Sequence, residues 1–433
     1  MDKDTLLDIL NDWNLWKKDI ESGKERKEYL EQCARYLTQN TVLSIIGVRR
    51  SGKSYLMRQF AKKLKENTAK ENILIINFED ARFTELYPEL LQEVYEVYVE
   101  FINPTSKPFI FLDEIHNVPK WEKWVRTMHE LGKAKIIISG SSSKLLSGEL
   151  ATVLTGRHLD IYVSPFDFKE FLSFRNLKVK DKLDLVSKKI RIKRLLREYF
   201  EFGGFPEIVL GQVKKQLLLE YFNDIITKDI ERRYNIRKSQ KLKSLARYYL
   251  TNISREITFN SIKKFLGISV DSIELYSAYL EEANLLFFLT KFHSSLKEQE
   301  KSPRKVYSID IGLSNAVGFR LSENFGYGIE NIVALKLKKG RFLNPNLEIY
   351  YWKSQKEEVD FVVKEGLGVK QLIQVCYSLE DEKTRKREIK ALLKCSDELK
   401  CGDLLIITFD EEKDIKIKDK TIKVVPLWKW LLS

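Results

Sequence analysis

The sequence predicts an α/β chain: a doubly wound parallel sheet first, a helical stretch next, and a second strand-bearing region last. Three observations predict it. Five short apolar runs alternate with helical patterns before Pro165. The first run ends in a glycine-punctuated loop that opens directly into a helical pattern. Beyond Pro165 the periodicity is mostly helical to about residue 320, and strand-like runs then return.

The elements follow in order. Leu6, Ile9, Leu10 and Trp13 fall at i, i+3, i+4 and i+7, one apolar stripe of a helix. A second helical stretch covers Arg26–Leu37. The five runs are Val42–Val48, Ile73–Phe78, Phe109–Leu112, Lys135–Ser139 and Leu159–Val163. They do not alternate cleanly, as expected of strands buried on both faces of a parallel sheet. Ser54–Lys65, Tyr87–Phe101 and Trp121–Leu131 read as helices between them. Further on, Ile192, Leu195, Leu196 and Tyr199 form a stripe beneath the basic helix that begins near Lys188. Leu347–Trp352, Val359–Val363, Leu372–Val375 and Leu404–Thr408 read as later strands. The expected segments are 1–172, 173–238, 239–322 and 323–433.

Composition narrows the classes. Lys+Arg exceeds Asp+Glu by 75 − 62 = 13 in 433 residues, which favours anionic partners, nucleic acid before a membrane surface. Cys33, Cys376, Cys395 and Cys401 form no CxxC pair and have no His at ligand spacing, so zinc is not expected. Scattered cysteines fit a reducing cytoplasm. No apolar run approaches a membrane span, so a soluble, cytoplasmic chain without membrane contact is expected.

Gly47-Val48-Arg49-Arg50-Ser51-Gly52-Lys53-Ser54 matches GxxxxGK[ST] in full, after a strand and before a helix. The two glycines let the backbone turn its N–H groups inward on phosphates, and the following helix adds its positive end. Lys53 supplies charge to the β- and γ-phosphates, and the Ser54 hydroxyl can coordinate Mg2+. Residues 47–55, ending in Tyr55, are the expected ATP-binding set. Phe109-Ile-Phe-Leu-Asp113-Glu114 is the matching strand that ends in acids. Asp113 would hold Mg2+ and Glu114 would polarise the attacking water. Glu after Asp, with the extra strand at Ile73, resembles the catalytic-glutamate branch of P-loop ATPases, which includes AAA+ proteins.

Two accessory positions follow. In Ser139-Gly140-Ser141-Ser142-Ser143 a polar residue can sense the γ-phosphate. Ser141 is the first choice and Ser139 the second, with a helix cap as the competing role. Arg157, in Leu154-Thr-Gly156-Arg157, could act as an arginine finger in a neighbouring subunit, which leaves a homo-oligomer open. A surface or nucleic-acid-phosphate arginine is the competing role.

Taken together, these motifs resemble the archaeal and bacterial AAA-type ATPases with an uncharacterised C-terminal region. Ile76-Asn-Phe-Glu79-Asp80, Pro165-Phe-Asp-Phe-Lys-Glu-Phe and Gly203-Gly-Phe-Pro206-Glu207 add to the set. The resemblance implies an ATPase module, a helical lid, a winged-helix-like module and a C-terminal domain similar to PD-(D/E)xK nucleases. In the third module, Ile257–Leu266 and Val270–Leu285 would be helices, with Ser269 as N-cap. Leu286–Thr290 and Lys305–Ile309 would form the wing. The second helix is acidic through Asp271, Glu274, Glu281 and Glu282, unlike a base-reading helix. Lys291, Lys297, Lys301, Arg304 and Lys305 on the wing are the expected phosphate contacts. In the nuclease-like domain Glu330 and Asp360 match metal ligands, but Gln374 and Cys376 stand where an acid and a lysine belong. Efficient cleavage is not expected.

The function these residues point to is a Mg2+-dependent ATPase acting on nucleic acid, with DNA favoured. The alternatives are a slow nucleotide switch acting on a protein partner and, less favoured, an ATP-dependent nuclease.

Overall fold

Helices α1 (Lys3–Trp13) and α2 (Lys27–Leu37) precede the first strand in the computed structural model, which describes residues 1–141, 156–236, 239–319 and 325–433. The Asp2 carboxylate caps α1 by accepting from the Thr5 N–H, and Leu6, Ile9 and Leu10 are buried as the stripe requires. The chain divides into two units, Met1–Val163 and Ser164–Ser433.

The first unit is a five-stranded parallel sheet. Its strands are β1 (Val42–Gly47), β2 (Ile73–Asn77), β3 (Phe109–Asp113), β4 (Lys135–Ser141) and β5 (His158–Tyr162), in the order β2-β3-β4-β1-β5. Parallel neighbours need long crossovers, which α3 (Lys53–Lys65), α4 (Leu90–Ile102) and α5 (Trp121–Glu130) help to supply. Leu43, Ile45, Phe111 and Ile137 pack against Leu56, Met57 and Phe60 of α3. All strands run the same way, so the loops after β1, β3 and β4 emerge along one edge.

The second unit begins with helices, among them Phe168–Phe174, Lys189–Phe202, Lys214–Asp224 and Ser239–Thr251, with a π-helix at Ile225–Glu231. Ile192, Leu195, Leu196 and Tyr199 are the buried stripe. The Gly203-Gly204 pair has a packing reason. The Asp310 carboxylate accepts from the Gly204 N–H at 2.7 Å and from the Leu313 N–H at 3.0 Å. A Cβ on Gly204 would lie 2.1 Å from the Phe166 carbonyl oxygen. Burial pushes the Asp310 carboxyl up to about 6.

Next come β6 (Glu256–Ile257), helices Phe259–Leu266 and Val270–Glu282, β7 (Leu286–Leu289) and β8 (Arg304–Ser308). The three strands form an antiparallel sheet in the order β6-β8-β7. Ser269 accepts from the Ser272 N–H as the expected cap. The Lys-rich connection holds a short helix, Leu296–Lys301, where a loop is expected.

One expected phosphate contact is displaced. Lys305 is 1% exposed and its Nζ lies 2.9 Å from Glu330 Oε1, 2.9 Å from Asp360 Oδ1 and 2.6 Å from Glu358 Oε1. A buried ammonium must be paired, and these carboxylates pair it. Burial pulls the Lys305 pKa down, but Asp360 and Glu330 outweigh it and hold the ammonium well above its usual value. Glu330 also accepts from the Tyr307 hydroxyl at 2.7 Å.

The chain ends in a six-stranded mixed sheet: β9 (Leu347–Lys353), β10 (Glu358–Glu365), β11 (Gly368–Val375), β12 (Leu404–Thr408), β13 (Lys413–Ile417) and β14 (Lys420–Pro426). Their order is β13-β14-β12-β11-β10-β9. The helices Phe325–Leu343 and Glu382–Leu399 pack with it. β13 and β14 are missing from the sequence reading because lysines and acids interrupt their short apolar pattern. Gln374 Oε1 accepts from the Asp360 N–H at 3.3 Å, and its amide donates to Glu388 at 2.5 Å. Cys376 is buried, which pushes its thiol up. Among the described residues no helix is long and apolar enough to cross a membrane, and no group of three His, Cys, Asp or Glu converges as a metal site.

Candidate nucleotide site

The loop after β1 is shaped by what surrounds it. A Cβ on Gly47 would lie 2.1 Å from the Val163 carbonyl oxygen, so only glycine passes there. The chain then turns through Arg50 at φ 68 and Gly52 at φ 95 into the N-terminus of α3. Lys53 is 5% exposed, and its Nζ donates to the carbonyls of Gly47 at 3.2 Å and Val48 at 3.3 Å. The ammonium is thus folded into the concave side of the loop, beside the positive end of α3.

The acidic strand arrives beside it. Asp113, at the end of β3, takes a hydrogen bond from Ser139 on β4, and the Ser54 hydroxyl near it also stabilises its charge. Burial raises the Asp113 pKa, while these hydroxyls and the Lys53 charge oppose the rise. Glu114 follows in the left-handed region at φ 53, and its N–H donates to Ser139 Oγ at 3.1 Å. Burial pushes the Glu114 carboxyl up to about 7, against the pull of Lys53. Ser139 therefore links the Asp113 carboxylate to the Glu114 backbone. It was the second choice of the sequence reading, because strand-end position alone does not show which hydroxyl turns toward β3.

The first-choice serine ends β4 with its backbone beside Gly47, and the Ser141 side chain lies outside the described residues. Arg157 is at the other edge. Its carbonyl accepts from the Val42 N–H at 2.8 Å, at the start of β1, and its guanidinium pairs with Glu130. β1 separates Val42 from Gly47 by roughly 16 Å at about 3.3 Å per residue. Arg157 does not join the site of its own chain. Tyr55 is 42% exposed and faces outward, with Arg58 over its ring at 5.3 Å.

Two supporting residues are invisible in the motif. Arg26 is buried, lies over the Tyr29 ring at 4.4 Å and donates to the Ser51 carbonyl at 3.0 Å. Glu79, after β2, faces Arg49 at 3.4 Å. Neither lies at a fixed spacing from GxxxxGKS, so only folding brings them near.

The site suits a polyphosphate with a divalent ion. Ser51 Oγ is a buried polar atom without a hydrogen-bond partner among the described residues. Such an atom is costly unless a polar ligand satisfies it. Ser54 and Asp113, in contact, could hold Mg2+ jointly with phosphate oxygens and water.

The chain resembles known proteins over most of its length. Residues 39–172 match the AAA domain family, and residues 193–324 and 325–430 match two domains of unknown function, DUF8612 and DUF4143. An uncharacterised protein of Methanocaldococcus jannaschii is 36% identical over 430 residues, covering 96% of this chain and 93% of that one. An uncharacterised protein of Haemophilus influenzae is 28% identical over 421 residues, covering 94% of this chain and 98% of that one. A Walker-type ATPase of Pyrococcus abyssi aligns with a TM-score of 0.47 and 16% identity, over 70% of this chain and 99% of that one. The near full-length relative and the AAA domain together place the chain: it belongs to the AAA-type P-loop ATPase family that carries these two further domains of unknown function.

Proposed function

We propose that the chain binds ATP with Mg2+, hydrolyses it, and couples the reaction to a conformational change that acts on nucleic acid, DNA before RNA. The observation that carries this reading is the meeting of Lys53, Ser54, Asp113 and Glu114 at one edge of the sheet, with Ser139 linking the Asp113 carboxylate to the Glu114 backbone. The inward N–H groups of residues 47–53 cradle the phosphates and Lys53 neutralises the β and γ groups. Ser54 and Asp113 would hold Mg2+, which when bound would supply positive charge to the phosphoryl oxygens. Glu114, with a carboxyl near neutrality, takes the proton of the attacking water. Arg157, far from its own site, acts only on a neighbouring copy in this reading. Ser141 remains a candidate γ-phosphate sensor.

The four-part division at 172, 238 and 322 belongs to the same proposal. Residues 239–322 serve as a winged-helix-like module, supported by two consecutive helices and the β7–β8 hairpin. Residues 323–433 serve as a nuclease-like domain used for binding. The net charge of +13 supports an anionic partner and a cytoplasmic setting supplies one.

Steady-state ATP hydrolysis tests the reading, measured with and without single-stranded, duplex and branched DNA at two salt concentrations. Lys53→Ala is expected to abolish nucleotide binding, and Glu114→Gln to bind ATP but stall. Salt-sensitive stimulation by one DNA form is expected. Normal turnover in Glu114→Gln would remove the base assignment.

The exposed acids of the helix Val270–Glu282 favour a second reading, a slow nucleotide switch directed at a protein. A low rate indifferent to every DNA form would select it. An ATP-dependent nuclease has one observation in its favour, a lysine between Glu330 and Asp360. Mg2+-dependent DNA cleavage lost in Glu330→Ala would establish it.

A further inference from the structure

The backbone of Glu114 is fixed more firmly than its carboxylate. Its N–H is held by Ser139, and its carbonyl accepts from the Asn117 N–H at 3.1 Å. Yet Glu114 Oε2 is buried and receives no hydrogen bond from the described residues. A buried carboxylate oxygen without a donor is costly. A general base needs the opposite, one oxygen held while the other faces the water.

One group stands where it could hold that oxygen. His116 Nδ1 lies 3.3 Å from Glu114 Oε2, with the imidazole 4% exposed and the carboxylate 11% exposed. Glu114 caps, and His116 sits on, one short 3-10 turn, Ile115–Asn117, which closes with the Val118 N–H donating to the Ile115 carbonyl at 2.9 Å. The pair is therefore local and built into the end of β3, beside the Lys53 charge. At 3.3 Å the two atoms are within reach but not aligned for a hydrogen bond, and catalytic hydrogen bonds of this kind tighten when the reacting complex forms.

We propose that His116 is the positioning residue for Glu114: its Nδ1–H holds Oε2 and leaves Oε1 to face the attacking water. This deepens the ATPase reading and rests on it. His116 touches neither nucleotide nor metal in this role, so its loss affects turnover and spares binding.

The test uses the full chain with four substitutions: Lys53→Ala, His116→Phe, His116→Ala and His116→Asn. Phenylalanine keeps the ring volume without a donor, and asparagine places an amide N–H where Nδ1 stands. ATP hydrolysis gives kcat and KM, and calorimetric titration with a non-hydrolysable ATP analogue gives affinity. His116→Phe is expected to lose roughly tenfold to hundredfold in kcat, with KM and analogue affinity within about twofold of wild type. His116→Asn is expected to recover to within about fivefold of wild type. His116→Ala carries the same expectation as His116→Phe and replaces it if the larger ring disturbs folding. Full turnover in the donorless variants overturns the proposal, and so does an asparagine variant as slow as they are. Wild-type binding that depends on Lys53, but with no turnover, overturns the hydrolysis reading and this proposal with it. Wild-type turnover with unimpaired His116→Phe overturns this proposal alone.

Discussion

Replacing Lys305 by methionine separates a surface lysine from a buried one. Methionine fills much of the space of the lysine stem but brings no charge. Glu330, Asp360 and Glu358 would lose the ammonium they share at 2.6 to 2.9 Å. Breaking a buried ion pair by removing one partner costs about 3–5 kcal/mol. A urea m-value of about 3 kcal/mol/M turns that into a midpoint lower by about 1 M or more. The cost should be smaller at low pH, where the carboxyls can take up protons. Urea unfolding followed by tryptophan fluorescence measures the shift. Hydrogen exchange should locate it to residues 304–308, 325–343 and 358–365. Adding Glu330→Gln and Asp360→Asn should recover part of the loss, because it neutralises the two buried carboxyls and leaves only the partly exposed Glu358 without its partner. A Lys305→Met chain as stable as wild type, with weaker DNA binding as its only defect, would refute the buried-cluster reasoning and restore the wing-contact role.

Three further outcomes are expected. Burial raises Glu330 from its ordinary 4.5 to about 8, so the three carboxyls around Lys305 share one proton that the unfolded chain loses above 4.5. Its contribution to stability is complete below 4.5 and lost as pH rises through 8, so the urea midpoint should fall from pH 6 to 9. Glu330→Gln, which retains an acceptor for Lys305 and Tyr307, should flatten that slope; an unchanged slope would assign the proton elsewhere. Ser139→Ala leaves Asp113 without one of its hydroxyl donors and should cost about 1 kcal/mol of stability. It should also raise the Mg2+ concentration needed for half-maximal ATPase, and an unchanged Mg2+ titration would speak against the bridge. Gly204→Ala forces a methyl against the Phe166 carbonyl and should cost about 1–3 kcal/mol or more, read as a lower thermal midpoint; a neutral substitution would show that the backbone there can yield.

Much of the first unit was legible because its signals are local. A phosphate loop needs glycine, lysine and a hydroxyl at consecutive positions, so Gly47, Gly52, Lys53 and Ser54 can be read in one glance. Asp113 and Glu114 stand at the end of an apolar run, which also reads locally. Apolar periodicity placed five strands and their order of appearance. It did not show that β4 lies between β1 and β3, which is a property of the crossovers. The supporting shell was legible only in part: Ser139 stood second to Ser141, Glu79 was one residue of a motif with no role attached, and Arg26 from the segment before β1 gave no signal.

Lys305 shows the boundary most clearly. In sequence it is one lysine in a basic stretch, and charge alone assigns it to the surface. Its burial depends on Glu330 from a helix and on Glu358 and Asp360 from β10, none of which the local sequence around β8 announces. By itself the sequence determined the alternation of strands and helices and the chemistry of the phosphate loop, because short-range periodicity and backbone conformation are written in consecutive residues. Only the tertiary structure decided which hydroxyl meets Asp113, that Arg157 stands at the far end of β1, and that Lys305 faces inward, because charge–charge and hydrogen-bond partners are chosen by segments that fold together from distant places in the chain.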